Sequence, residues 1–168
     1  MKTKLAALAL AAALSLAGCV SNRTLETTIQ GRVPMGKPIS VAIPIDGEFS
    51  GEKYPQSGYG VARRLVSSLL PYFPGSAVGV SNSEYHIIPE LLHWENRATE
   101  WSGKPDRVKV SLPLYRGQQL IGSALVKAKS SWWTLGGDRP EDLIELPFDV
   151  YAAGLAGIKK PNRLVIEK

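Results

Sequence analysis

The chain has 168 residues, with 20 Lys and Arg against 15 Asp and Glu, two His and a single Cys. One cysteine excludes an internal disulfide framework. A formal charge of +5, with no clustered Lys/Arg stripe along the sequence, argues against a nucleic-acid binder, and the length suits one domain with its own core.

The N-terminus reads Met1-Lys-Thr-Lys4, then an apolar run from Leu5 to Leu14, then Ser15-Leu16-Ala17-Gly18-Cys19. A charged start, a short apolar stretch and small residues before a cut site are the marks of an export signal, here expected over residues 1–18. The run is too short to span a bilayer, which needs about 20 apolar residues. Leu16-Ala17-Gly18-Cys19 resembles the lipobox of bacterial lipoprotein precursors at all four positions. The resemblance implies that Cys19 receives a diacylglyceryl group on its sulfur and, after cleavage, an acyl chain on its new amine. A lone thiol in an oxidising compartment is a liability that thioether formation removes. Two or three acyl chains suffice for stable anchoring, since each buried methylene contributes about 0.8 kcal/mol. Val20, rather than Asp, follows the cysteine, and the sorting rule of such lipoproteins then implies the periplasmic face of the outer membrane. Without Lys2 and Lys4 the chain holds 18 basic and 15 acidic residues, a mild +3 that leaves a weak, salt-screened attraction to anionic envelope groups.

Residues 19–38 are polar and rich in turn formers, and read as the lipidated cysteine and a tether; residues 39–168 read as one domain. Ile39 to Ile45 is apolar and β-branched, as in a buried strand. After a turn-rich loop, Val61, Leu65, Val66, Leu69, Leu70 and Phe73 recur at helical spacing, and Pro71 and Pro74-Gly75 end the helix. Ala77 to Val80 is a short strand and Tyr85 to Trp94 a longer one. Arg107 to Tyr115 and Gln119 to Lys129 alternate around a turn at Arg116-Gly117, the clearest hairpin in the chain, with Lys127 and Lys129 opposite its apolar face. Asp138, Pro140 and Glu141 fit a helix start. That helix runs to about Ala153 with Leu143, Leu146, Val150 and Tyr151 inward and a kink at Pro147. Arg163 to Ile166 is a final edge strand. The order β-α-β-β-β-β-α predicts an α+β fold, with two helices on one face of a mixed, largely antiparallel sheet.

Two segments, Glu84 to Asp106 with its Trp94-Glu-x-Arg-x-Thr-Glu-Trp101 run and Ser131 to Asp142 with Trp132-Trp133, are similar to a family of uncharacterised Gram-negative lipoproteins, domain of unknown function 4823. The likeness runs from about Ile39 to Tyr151. It implies class and location but brings no activity. The strand order is also similar to small domains of envelope assembly factors, an analogy of fold alone.

Chemical motifs are sparse. Gly31 to Lys37 nearly spells a phosphate-binding loop, but Pro38 replaces its hydroxyl residue and a strand follows where a helix is needed. Ser50-Gly-Glu-Lys53 lacks the companion motifs of penicillin-recognising enzymes. His86 and Glu90 share one face of an extended strand while His93 points the other way, so no metal site or other cofactor is expected. Trp94, Arg97, Glu100, Trp101, Trp132 and Trp133 fall in or beside two loops; packing accounts for them, and a partner-binding patch is the functional alternative. Gly58, Gly60 and Arg63 open the first helix, where an anion would dock. The expected function is a non-enzymatic envelope binding or assembly module whose partner is a protein or the cell wall. The alternative is a hydrolase or transferase on envelope polymers using Glu90, Glu95 or Glu100 with Asp106 or Asp138.

Overall fold

A computed structural model of the chain describes residues 22–29, 32–79, 82–96, 105–130, 139–158 and 163–165. The elements in chain order are β1 (Asn22–Ile29), β2 (Ile39–Val41), β3 (Glu48–Phe49), β4 (Glu52–Lys53), α1 (Ser57–Leu69), β5 (Ala77–Val78), β6 (Tyr85–Ile87), β7 (Glu90–Glu95), β8 (Arg107–Ser111), β9 (Leu114–Arg116), β10 (Gln119–Lys129), α2 (Pro140–Leu155) and β11 (Arg163–Val165). Nine of the strands form one mixed sheet, largely antiparallel, against which the two helices pack. The α+β class read from the sequence is the one observed.

Two prolines shape the sheet. The strand expected from Tyr85 to Trp94 is broken at Pro89 into β6 and β7, and that from Arg107 to Tyr115 is broken at Pro113 into β8 and β9. Proline has no N–H to give a ladder, so pairing lapses there and resumes on either side. The breaks lie side by side, joined by the Ile88 N–H donating to the Pro113 carbonyl at 3.2 Å. β10 is uninterrupted and pairs with both β9 and β8, while β6 pairs with β9 and β7 with β8. Beyond β6 the sheet continues through β2 and β5, which run parallel to one another as the β2-α1-β5 connection requires. The small β3–β4 hairpin lies against β7, where Phe49 meets the His93 ring edge-on at 5.0 Å.

One expectation is corrected at the start of the chain. Residues 19–38 do not form a tether throughout: Asn22–Ile29 is a strand that pairs residue for residue with β10, from Asn22 opposite Lys129 to Ile29 opposite Gly122, and carries β11 on its other side. Its ladder is made by the backbone, and the side chains alternate around Leu25, which is 2 % exposed. The polar composition that looked like a linker belongs to a strand with one wet face.

The core is a single cluster in which Leu143, Ile144, Phe148 and Tyr151 of α2 cover the buried faces of β1, β8 and β10, while Val61, Leu65 and Leu69 of α1 pack beside them over β2 and β5 and against α2. Leu70 is exposed and Val66 only half-buried, so the apolar stripe of α1 is narrower than its spacing implied, with Ala62 and Ser68 taking buried places. The Ser68 hydroxyl donates to Asp149 Oδ1 at 2.6 Å, and Arg64 pairs with Glu145, so two polar contacts join the helices. α2 starts one residue later than read. Its first-turn bond runs from the Arg139 N–H to Asp142 Oδ2 at 3.2 Å, and the helix continues through a buried Pro147. Burial pushes the Tyr151 phenol well above its ordinary range, and its O–H points at the Leu112 carbonyl. No helix among the described residues is long and apolar enough to cross a membrane.

Candidate functional site: a basic sheet face

The β8/β9–β10 hairpin sets a problem of parity. Its two-residue turn, Gly117-Gln118 with Gly117 at φ 58°, pairs Arg116 with Gln119 and Tyr115 with Leu120, even positions against odd. Both arms, however, bury even positions: Val108, Val110 and Leu114 on one, Ala124, Val126 and Ala128 on the other. A one-residue slip would turn one arm inside out. A shift between Leu120 and Gly122 resolves the conflict by seating Leu114 opposite Gly122, so that even then faces even.

The same shift brings cations together. Lys109 lies opposite Lys127 and Arg107 opposite Lys129, all on the face away from the helices. Asn22 and Thr24 of β1 flank Lys129 and Lys127 on one side, and His93 of β7 lies opposite Lys109 on the other. With strands about 4.8 Å apart, the four cationic positions lie within roughly 8 Å of one another along the backbone. Like charges directly opposite are destabilising. Glu26 pairs with Lys127 at 3.1 Å, and Glu95 lies 3.8 Å from Arg107 and 3.4 Å from His93 Nε2. Among the described residues neither Lys109 nor Lys129 has an ion-pair partner. Asn22, Thr24, Leu92, His93 and the four cations line a shallow concavity of about 470 Å³. Lys and Arg offer only donors, so the concavity presents positive charge and hydrogen-bond donors to whatever enters it.

The residues singled out from the sequence fare differently. Trp94 is not a surface anchor: it is 2 % exposed, and a Cβ added at Gly47 would lie 2.5 Å from its own Cβ. Arg97, Glu100, Trp101, Trp132, Trp133 and Asp138 lie outside the described residues, as does Cys19. The two loops expected to carry the tryptophans do begin and end together. The Asp106 N–H donates to Ser130 Oγ and the Ser130 N–H to the Asp106 carbonyl, both at 2.9 Å. Asp106 is thereby buried, at 1 % exposure. Glu90 and Glu95 stand at opposite ends of β7, roughly 16 Å apart along a strand. Of the two, Glu95 is the one beside the expected partner Asp106, which directly precedes Arg107, the residue opposite Glu95 on the β7–β8 ladder. His86 stacks on Tyr115 at 5.6 Å, on a different strand from His93.

At the helix start the anion is already present, and it belongs to the chain. Asp46 accepts from the Gln56 N–H at 3.1 Å and from the Gly58 N–H at 2.8 Å. Gln56 sits at φ 68° and makes no cap with its own side chain, so a carboxylate from the preceding loop takes that place. Gly58, Gly60 and Arg63 are therefore not a vacant anion site. Replacing Asp46 with Ala leaves these two N–H groups without their acceptor, and is expected to lower stability by about 1–2 kcal/mol in urea denaturation. Asp46→Asn, which keeps an acceptor oxygen, is expected to lose less than half of that.

The basic face was missed in the sequence because its members come from two strands about 20 residues apart. The alternation of each strand put Lys127 and Lys129 outward, but only the pairing register shows that Arg107 and Lys109 join them.

Fold and face together define a small α+β sandwich with helices on one side of its sheet and a cationic concavity on the other. The chain belongs to the family described as Domain of unknown function (DUF4823), whose model matches residues 31–155. No curated protein matches it. Among solved structures it is similar to a point variant of PelC from Paraburkholderia phytofirmans, a dodecamer, at 13 % identity and a TM-score of 0.60, covering 83 % of this chain and 98 % of that one. A second PelC dodecamer from the same organism matches at 12 % identity and a TM-score of 0.56, over 83 % and 96 % of the two chains. A DUF330 protein from Xanthomonas campestris matches at 16 % identity and a TM-score of 0.43, over 79 % and 91 %. At these identities the likeness to PelC is one of fold.

Proposed function

We propose that this chain is a lipid-anchored, periplasm-facing module of the outer membrane that binds or helps to assemble other envelope components and does no chemistry of its own. The observation that carries this reading is the position of β1. The sheet begins at Asn22, three residues beyond Cys19 in the lipobox-like Leu16-Ala17-Gly18-Cys19. A lipid on Cys19 therefore holds the body of the domain at the bilayer, within ~10 Å of extended chain, rather than on a long leash. The shared fold with PelC, solved as a dodecamer, supports an assembly role, with an envelope protein or the cell wall as partner.

The test is metabolic labelling with radioactive palmitate in a Gram-negative host, followed by crosslinking in place and affinity capture. Label on the chain, lost in Cys19→Ser together with its membrane fractionation, is the expected result. One dominant envelope partner should be captured with it. An unlabelled chain in the soluble fraction removes the anchor. Turnover of purified envelope polysaccharide or peptidoglycan by the chain replaces this reading with the enzymatic one.

A further inference from the structure

Among the described residues one surface arrangement stands against ordinary electrostatics. Two like-charge cross-strand pairs, Lys109–Lys127 and Arg107–Lys129, are stacked in adjacent rows of one sheet face. Cross-strand neighbours of one sign oppose folding, and Glu26 and Glu95 answer only Lys127 and Arg107. Among the described residues Lys109 and Lys129 stand without ion pairs, and no acid is among the side chains that line the concavity beside them. Among the described residues, then, two of these four cations go unanswered, and the face has room for an anion from outside.

The start of the chain says which one. Asn22, at the first position of β1, lines the same concavity and lies opposite Lys129. The three residues back to Cys19 span at most ~10 Å when extended. Of the two ends of this sheet face, the one bearing Arg107 and Lys129 is thus the one nearest the cysteine. We infer that the face formed by Arg107, Lys109, Lys127 and Lys129 docks on the phosphate-bearing head groups of the membrane to which the chain is tethered. This inference rests on the lipid anchor proposed above. Juxtamembrane Lys and Arg are attracted to anionic bilayers, and that attraction decays within a Debye length, about 8 Å at physiological salt, so it acts only on a face held close to the surface. Docking fixes the orientation of the domain: the sheet lies toward the lipid, and α1 and α2, on the opposite face, look into the periplasm.

The test uses the chain from residue 19 onward carrying Cys19→Ser, which removes none of the residues that form the sheet and no longer has a lipid site. Its partition onto vesicles of phosphatidylethanolamine with 30 % phosphatidylglycerol is compared with that onto pure phosphatidylcholine vesicles by cosedimentation. At 50 mM salt, binding to the anionic vesicles is expected to be at least tenfold stronger, and 0.5 M salt should abolish the difference. Lys109→Gln with Lys129→Gln should weaken anionic binding about tenfold while leaving the thermal melt unchanged or raised, since both changes relieve like-charge contacts. Equal partition onto the two vesicles overturns the inference, and this arm needs no variant to fold. So does a folded double variant that binds as well as its parent. Palmitate labelling of Cys19 with charge-independent partition leaves the anchor standing and removes the docking face. Charge-dependent partition by a chain whose Cys19 is never labelled supports the face and removes the anchor.

Discussion

Gly58→Ala is expected to unfold the domain or to destabilise it by more than about 3 kcal/mol, whereas Gly60→Ala, two residues on, is expected to be neutral or stabilising by up to about 1 kcal/mol. The two glycines share the Gly58-Tyr-Gly60 opening of α1 and look equivalent in sequence. A Cβ at Gly58 collides with the carbonyl oxygen of Pro44 and comes within 3.2 Å of Asp46 Oδ1. Pro44 is backbone and cannot rotate aside. The only relief is to push the helix off the strand loop, which breaks the bonds from Asp46 to Gln56 and Gly58 that start the helix. At Gly60 the nearest atom to an added Cβ is Glu141 Cγ at 3.7 Å, ordinary contact, and alanine is the better helix former. Urea denaturation of the two variants side by side checks this. Equal losses at both positions would mean that helix propensity, not the close approach to Pro44, governs the site.

How much of this was legible in the sequence depends on whether the controlling interaction is local. β10 is legible at its full extent, Gln119 to Lys129, because alternation over eleven residues is a strong periodic signal. α1 and α2 were read within a few residues for the same reason. β1 is not legible, because its Asn-Arg-Thr-Leu-Glu-Thr-Thr-Ile carries little hydrophobic pattern; the ladder to β10 that makes it a strand joins residues about 100 apart. The basic face lies between these cases. The outward turn of Lys127 and Lys129 is local and legible, while their juxtaposition with Lys109 and Arg107 depends on the shift at Leu120/Gly122. Yet that shift is itself implied by the sequence. A two-residue turn between strands that both bury even positions demands one extra residue on one arm, and counting parity through Gly117-Gln118 would have found it. The capping of α1 by Asp46 had no such signal, since a side chain ten residues upstream replaces the local cap that Gln56 cannot make.

Trp94→Ala is expected to cost about 3–5 kcal/mol, a large share of the roughly 5–15 kcal/mol that holds a domain of this size together. Trp94 is one of the largest fully buried side chains, it faces Val108 across the β7–β8 ladder, and Gly47 is packed tightly over it. No small shift of backbone fills the space of an indole there, so the loss combines transfer of the ring to water with a residual cavity. Leu92→Ala is the control on the same strand. Leu92 is 50 % exposed, and its truncation should change stability by less than about 0.5 kcal/mol. The pair also separates packing from recognition. If Trp94 served a partner from the surface, its loss would leave the unfolding midpoint of the isolated chain in place and weaken capture of envelope components instead. The burial of the indole predicts the reverse order of events, in which any loss of capture follows loss of the fold and disappears at temperatures where the variant remains folded.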